Sequence, residues 1–285
     1  MSAPVLAISN LSVISDRDRT PILRDVSLSV ERGETLGLVG ESGAGKSTIA
    51  KAILDMLPRT VRILSGEVRF EGENLLKAPA AARRRLVSER LALIPQDPMT
   101  ALNPGRRIEG QLTDGLRLQR GLHARAARTA ALKLLDEVQI RDPERVLRAY
   151  PHELSGGMRQ RVLIAAAFAL EPRLIIADEP TTALDVTVQK RILRLIRAMQ
   201  RAHGTAVLFV THDLGVVAQI CDHVTLLHSG RIVESGTTRA LFETPFHPYT
   251  RALIDACPRY DRPDAGLMPV PEHVIAGLHA DRARL

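Results

Sequence analysis

Residues 40–48 read Gly-Glu-Ser-Gly-Ala-Gly-Lys-Ser-Thr, a glycine-rich loop of the form G-x-x-x-x-G-K-S. A short apolar run, Thr35 to Val39, precedes the loop, and Ile49 to Leu54 follows it as the start of a helix. Strand, loop and helix in this order form the context that a phosphate-binding loop requires. The glycines let successive backbone N–H groups point at phosphate oxygens, and the helix N-terminus adds partial positive charge. The stretch therefore predicts a nucleoside-triphosphate site.

Two side chains of the loop have specific predicted tasks. Lys46 is expected to reach the β- and γ-phosphates, and the Ser47 hydroxyl to ligate Mg²⁺. The whole loop is expected to surround the phosphates. The predicted nucleotide-binding residues of the loop are Gly40, Glu41, Ser42, Gly43, Ala44, Gly45, Lys46, Ser47 and Thr48.

A second acidic element lies far downstream of the loop. The apolar run Leu174 to Ala177 predicts a buried strand that leads directly into Asp178 and Glu179. At the end of such a strand Asp178 can hold Mg²⁺ through water, and Glu179 is placed to polarise an attacking water. Phosphoryl transfer needs mainly positioning and charge neutralisation. Together with the loop, these two carboxylates predict metal-assisted hydrolysis of the triphosphate.

Composition limits the remaining possibilities. The chain has 285 residues, enough for one large or two small domains, and no apolar stretch approaches the ~20 residues that span a bilayer. Its start, Met1 to Pro4, does not have the pattern of a secretory signal. Two cysteines are too few for a disulfide framework, which indicates a reduced, cytosolic protein. The net charge of +7 is interpreted as a solvated, arginine-rich surface, because 3% aromatic residues without Trp argue against stacking on nucleic-acid bases.

The hydrophobic pattern predicts the order of the elements. Alternation in residues 5–14 and 22–30, with a third strand near Gly66 to Glu71, indicates an antiparallel sheet beside the loop. From Pro98 to about Arg148 the pattern is helical, with a break at Pro143, and indicates a separate helical subdomain. Beyond it, strands alternate with helices, which favours a mainly parallel α/β sheet. The predicted elements there are helices at 162–170 and 187–200, strands at 174–177 and 206–210, and a hairpin of 224–227 with 231–234.

The segment Leu154-Ser155-Gly156-Gly157-Met158 adds the most specific signal. Ser155, Gly156 and Gly157 open a helix and should bind phosphate, yet one nucleotide does not need two cradles from one chain. With the phosphate loop and the run ending in Asp178 and Glu179, the segment resembles an ABC-type ATPase domain.

The resemblance implies a fold and a domain organisation. The implied fold is α/β, a P-loop ABC ATPase with a RecA-like parallel-sheet core, an N-terminal antiparallel β subdomain, a helical subdomain and a short C-terminal extension. The implied ATPase domain covers residues 1–240, with the helical subdomain inserted at about 98–158. The implied C-terminal extension covers residues 241–285, and its stretch Phe246-His247-Pro248-Tyr249 resembles that of oligopeptide transporters.

The resemblance also implies roles for residues that geometry alone does not assign. Ser155, Gly156 and Gly157 of one subunit would cap the ATP held by the phosphate loop of another, so that ATP joins a head-to-tail dimer. Ala183-Leu184-Asp185 fits the loop that crosses the dimer interface. The implied catalytic residues are Glu179, His212 at the γ-phosphate, and Gln96, which senses Mg²⁺ and the attacking water. The implied metal-site residues are Ser47, Gln96 and Asp178, and the implied cofactors are ATP and Mg²⁺.

Four stretches narrow the resemblance to ATPases of peptide and nickel importers, and to the first of the two ATPases of such systems. They are residues 94–104, 150–161, 177–189 and 246–251, the last reading Phe-His-Pro-Tyr-Thr-Arg. The resemblance implies a subunit that energises peptide import, peripheral on the cytoplasmic face of the inner membrane. The implied partners are a second, similar ATPase, two membrane permeases and, indirectly, a substrate-binding protein. The phosphate loop and the segment Leu154 to Gly157 are the two halves of such a site. Because this chain contains both of them, a homodimer is an alternative to pairing with a second ATPase.

Other interpretations remain open at this point. They are an importer of nickel or another small solute, an exporter or an accessory ATPase of the carbon–phosphorus-lyase type, and a soluble ABC ATPase acting on nucleic acid. The last is disfavoured, because the chain has no heptad insertion, no tandem ATPase domain and no zinc-binding cysteines, and no nucleic-acid partner is expected.

The sequence departs from the family pattern in two places. No aromatic residue precedes Phe70, and the usual aromatic position falls near Ile14 or Ser15, so weak discrimination of adenine is expected. Cys257 stands alone in the tail, so no iron–sulfur cluster is expected.

Overall fold

The computed structural model describes residues 3–182 and 184–256. Its strands are β1 Leu6–Ser15, β2 Pro21–Val30, β3 Thr35–Val39, β4 Val61–Phe70, β5 Glu73–Asn74, β6 Leu91–Ile94, β7 Leu174–Asp178, β8 Ala206–Thr211, β9 His223–His228 and β10 Arg231–Thr237. Its helices are α1 Lys46–Ile53, α2 Ala80–Arg90, α3 Pro98–Ala101, α4 Ile108–Leu118, α5 Ala124–Glu137, α6 Pro143–Arg148, α7 Gly156–Phe168, α8 Val186–His203, α9 Leu214–Ile220, α10 Thr238–Glu243 and α11 Pro248–Asp255. A short 3-10 helix covers Pro151–Glu153.

The strands form two sheets. The first is antiparallel between its long strands, in the order β2-β1-β4-β5. The second has the order β10-β9-β3-β8-β7-β6, in which only the edge strand β10 runs antiparallel to its neighbour. The predicted α/β fold, with a parallel core and an antiparallel N-terminal sheet, is confirmed.

The parallel strands are apolar throughout because both faces of their sheet are covered. Alternate residues enter two different cores. Leu208 and Ile176 pack with the N-terminal sheet and helix α1. Val207 and Ile175 point the other way and pack with α4 to α9. The edge at which β3, β7 and β8 end is therefore held from both sides, and that edge carries the phosphate loop and the acidic pair.

Several element bounds differ from the sequence prediction. The third strand of the N-terminal sheet is the ten-residue strand β4, which begins at Val61 rather than near Gly66. Helix α7 begins at Gly156, as expected of a helix opened by residues 155–157, and ends at Phe168 rather than at Leu170; the Ser155 side chain caps its start by accepting from the Met158 N–H. Helix α1 ends at Ile53, so the run predicted as its start is most of the helix.

The helical region between β6 and β7 contains α3 to α7. Pro143 lies at the start of α6, where its missing N–H leaves no helical hydrogen bond unmade. Buried residues of α4, α5 and α7 pack into one core with the parallel sheet. Among the described residues, no helix is both long and apolar enough to cross a membrane.

Candidate active site

The phosphate loop curls between β3 and α1. Gly43 and Gly45 have φ of 81° and 106°, in the left-handed region that glycine adopts without strain. The Lys46 ammonium group folds back over the loop and donates to the carbonyl oxygens of Gly40 (2.6 Å) and Glu41 (2.8 Å). The loop is thus closed on itself by the lysine that is predicted to meet the phosphates.

Lys46 is buried, with 5% of its surface exposed. Burial lowers the pKa of Lys46, although the nearby carboxylates of Glu179, Asp178 and Glu41 favour its charged form. A cation held in a poorly solvated position interacts more strongly with an incoming polyphosphate than one in water. A polyphosphate bound at Lys46 would also lie near the negative charges of these three carboxylates.

Glu179 is the centre of a side-chain network at the end of β7. Its carboxylate accepts from the Gln96 amide (3.3 Å) and the Thr182 hydroxyl (3.0 Å), and its Oε1 lies 3.1 Å from Nδ1 of His212. Its backbone has φ 46°, a left-handed conformation that costs a non-glycine residue about 1 kcal/mol. The structure therefore brings Gln96 and His212, which are far from Glu179 in sequence, to the Glu179 carboxylate.

The two adjacent acids have opposite pKa shifts. Burial and the charge of Glu179 raise the pKa of Asp178, in spite of Lys46 and Lys51. Burial also tends to raise the pKa of Glu179, but hydrogen bonds from His212 and Thr182 and the charges of His212 and Lys46 outweigh it and lower that pKa. Glu179 is consequently ionised at neutral pH, in the state that a general base requires.

The residues at this edge fit Mg²⁺. Among residues 3–182 and 184–256, no group of three or more His, Cys, Asp or Glu side chains could hold a metal ion by itself. Mg²⁺ usually takes one or two carboxylates and completes its shell with substrate phosphates and water. The Asp178 carboxylate and the exposed Ser47 hydroxyl are oxygen donors of that kind, and the raised pKa of Asp178 reflects a negative charge that a cation would stabilise.

The segment Ser155 to Gly157 lies elsewhere, at the exposed start of α7. The Met158 N–H donates to the Ser155 hydroxyl oxygen at 3.3 Å, and a Cβ on Gly156 would meet nothing within 4 Å. Asp185 caps α8 by accepting from the Val188 N–H at 2.9 Å. Ala183, from the predicted interface loop, lies outside the described residues.

Comparison with known proteins decides the family. The ABC transporter family model matches residues 23–182, more than half of the chain. The chain belongs to the ABC transporter family. A second model, the oligopeptide/dipeptide transporter C-terminal region, matches residues 233–282. This ABC protein is an ATP hydrolase and binds ATP.

Relatives of similar length support the assignment. The probable D,D-dipeptide transport ATP-binding protein DdpD of Escherichia coli is 47% identical, with 95% of this chain and 84% of the relative covered. The oligopeptide transport ATP-binding protein OppD of Haemophilus influenzae is 43% identical, with 97% and 86% covered.

Solved structures agree with the fold. The cbiO1 protein of Clostridium perfringens, part of an ABC transporter complex, superposes with a TM-score of 0.75 at 25% identity, covering 86% of this chain and 93% of that one. The dimeric cassette MJ0796, in a post-hydrolysis state with ADP and phosphate, superposes with a TM-score of 0.71 at 26% identity, covering 82% and 99%.

Two contacts at this site have no signal in the sequence. One is the bond from the Thr182 hydroxyl to Glu179, since a Thr after an acidic strand end has many other uses. Tyr249, some 200 positions away, donates to Glu41 in the phosphate loop at 3.1 Å. Only a knowledge of the packing of α11 against the loop could have indicated that bond.

Replacing Thr182 by Val is expected to lower kcat for ATP hydrolysis about tenfold. A hydrogen bond to a charged group contributes about 1.5–3 kcal/mol, and 1.4 kcal/mol is tenfold in rate. Because the Thr182 bond lowers the pKa of Glu179, its loss raises that pKa, and the acid limb of the kcat–pH profile should move to higher pH. Thr182→Ser, which keeps the hydroxyl, should restore both; an unchanged acid limb in Thr182→Val would contradict the contact's role.

Proposed function

We propose that this ABC ATPase energises the import of peptides across the cytoplasmic membrane. The observation that carries the proposal is the match of residues 233–282 to the C-terminal region of oligopeptide/dipeptide transporters. Relatives such as DdpD and OppD, named for dipeptide and oligopeptide transport, support it. The extension also has a built structural place. Glu234 of β10 accepts from the N–H groups of Phe246 (2.8 Å) and His247 (2.9 Å), directly before α11.

In the proposed site, the phosphate-loop N–H groups and Lys46 bind the triphosphate of ATP. Ser47, Gln96 and Asp178 would hold Mg²⁺, which supplies charge neutralisation for phosphoryl transfer when bound. Glu179 orients a water and takes its proton, and it is held for that task by Gln96, Thr182 and His212. The His212 side chain is 56% exposed, so a bound γ-phosphate could reach it.

The second half of the site is proposed to come from another subunit. Ser155 and Gly156 are exposed at the N-terminus of the 13-residue helix α7, whose unpaired N–H groups favour an anion. In this proposal they cap the ATP held by the phosphate loop of a partner ATPase, and Asp185 lies at the same interface. The proposed partner is a second, similar ATPase. Within this chain, the ATPase domain is proposed to end near residue 240, where the C-terminal extension begins.

The membrane partners are proposed to bind beside Gln96. Two permeases, with a substrate-binding protein on the other side of the membrane, would meet the helical region that begins at α3, directly after Gln96 in the chain. Met99 of α3 is an apolar side chain in this region that is 61% exposed. This arrangement places the chain on the cytoplasmic face and joins the Glu179 network to permease movement.

Purification from the native membrane tests the proposal. The chain is expected to be recovered with two permeases and a second ATPase, and ATP hydrolysis by that complex should rise when a peptide-loaded binding protein is added. Recovery with a carbon–phosphorus-lyase complex, or without any membrane protein, would overturn it. A complex that responds to nickel but to no peptide would keep the ABC importer and change its cargo.

A further inference from the structure

The extension that follows β10 reaches the phosphate loop through one side chain. Tyr249 of α11 is fully buried, with 0% of its surface exposed, and its hydroxyl donates to the Glu41 carboxylate at 3.1 Å. Its ring packs against His228 at the end of β9, with ring centroids 4.7 Å apart and a tilt of 56°. The buried phenol therefore donates to a carboxylate of the phosphate loop.

The residues around Tyr249 fix where its hydroxyl points. Pro248 occupies the first turn of α11, and Nδ1 of His247 caps the helix by accepting from the Tyr249 N–H at 3.1 Å. The Glu234 carboxylate anchors the backbone just before the helix, by accepting from the Phe246 and His247 N–H groups. The His-Pro-Tyr sequence thus acts as a unit: cap, first helical residue, and a phenol delivered to the loop.

The His-Pro-Tyr unit acts on the charge of Glu41. Glu41 is the second residue of the phosphate loop, and its charge acts on Lys46. Its backbone carbonyl also accepts from the Lys46 ammonium group at 2.8 Å. A free carboxylate here would compete with a triphosphate for Lys46 and would repel it. Burial and the Glu41 charge raise the pKa of Tyr249, so the phenol stays protonated and remains a donor at any physiological pH.

We propose that Tyr249 is a positioning residue of the ATP site, whose hydroxyl holds the Glu41 carboxylate against α11 so that it does not compete with the triphosphate for Lys46. The C-terminal extension would then set the affinity of the phosphate loop for ATP. The proposal rests on ATP binding at this loop, and it does not depend on which solute the transporter carries.

Tyr249→Phe is the direct test, because it keeps the buried ring and removes only the hydroxyl. Equilibrium binding of MgATP to the full chain should weaken about tenfold. In the assembled transporter KM for ATP should rise by a similar factor while kcat stays within about twofold. Arg251→Ala is the matched control on the same helix, since the Arg251 side chain donates to the Pro245 carbonyl and does not touch the loop; it should leave MgATP binding unchanged.

A second substitution separates positioning from packing. Glu41→Gln removes the competing charge, so it should bind MgATP at least as tightly as the parent. Tyr249→Phe should then have less than a twofold effect in the Glu41→Gln background. Weaker binding by Glu41→Gln alone would overturn the proposal even where Tyr249→Phe fails to fold.

Three further results would count against it. Equal affinities of Tyr249→Phe and the parent would remove the positioning role, and so would the same tenfold loss in the Glu41→Gln background. A parent chain that did not bind MgATP at all would overturn the ATP-site assignment together with this inference, whereas a failure to transport peptide would leave both intact.

Discussion

Replacing Glu179 by Gln is expected to lower ATP hydrolysis by about 10²- to 10⁴-fold, the range that loss of a general base produces. The amide keeps the size of the side chain and can still accept from Thr182, but it cannot take a proton from water. ATP binding should be retained, because Lys46 and the loop N–H groups are untouched. A closed, ATP-bound dimer should therefore accumulate, and gel filtration with ATP would detect it alongside the loss of hydrolysis.

Glu34→Gln is a suitable control for that experiment. Glu34 is also a His-paired carboxylate, with its Oε1 2.7 Å from Nδ1 of His223. Its pair lies where β3 and β9 begin, at the opposite edge of the parallel sheet from Glu179. Hydrolysis by this variant should stay within about twofold of the parent. Parental hydrolysis by Glu179→Gln in the assembled complex would show that the carboxylate is not the base.

Much of the fold follows from local pattern. The apolar runs that become β3, β7 and β8 can be recognised in the sequence, because each strand is buried on both faces and so carries no polar alternation. The phosphate loop can be recognised because its glycines, lysine and flanking elements must occur together. The sequence therefore indicated the edge of the sheet at which Lys46, Asp178 and Glu179 meet.

What the sequence could not show is the support behind these residues. Glu179 follows β7 with a left-handed backbone, φ 46°. Its N–H donates to the carbonyl of Val210 in the neighbouring strand β8 at 2.9 Å, and its own carbonyl accepts from the Thr182 N–H at 3.2 Å. Nothing in an Asp-Glu-Pro tripeptide indicates that conformation. The bond from Tyr249 to Glu41 joins residues 208 positions apart. Long-range contacts of this kind depend on the packing of whole elements, which one sequence does not encode in any local signal.

The phosphate loop also contacts strands that are not part of its sequence motif. The Gly230 N–H, in the turn between β9 and β10, donates to the Ala44 carbonyl at 3.0 Å. A Cβ on Gly45 would lie 2.6 Å from Cδ2 of Leu23 in β2. The loop therefore packs against both sheets, and Gly45 is required for this close approach as well as for its φ angle.

Gly40→Ala is expected to have the largest effect of any small substitution in the loop. A Cβ at Gly40 would lie 2.1 Å from the carbonyl oxygen of Leu227 and 3.2 Å from the Cβ of Ala44. The first neighbour is backbone of β9, which is paired on one side with β10 and on the other with β3, so the loop must move instead, and the bond from Gly230 to Ala44 should be lost. Overpacking costs about 1–3 kcal/mol or more, which corresponds to roughly 10- to 100-fold in ATP affinity if the displacement falls on the loop.

Gly236→Ala makes the same change without the clash, because a Cβ there would meet nothing within 4 Å and Gly236 lies in the same sheet, on β10. That variant should bind MgATP as the parent does and should melt within a few degrees of it. Measuring MgATP affinity and Tm for both variants separates a displaced loop from a destabilised sheet. If Gly40→Ala bound MgATP with the parental affinity, β9 would have moved to accommodate the added methyl group. The close contact between the loop and β9 would then not be needed to bind a triphosphate.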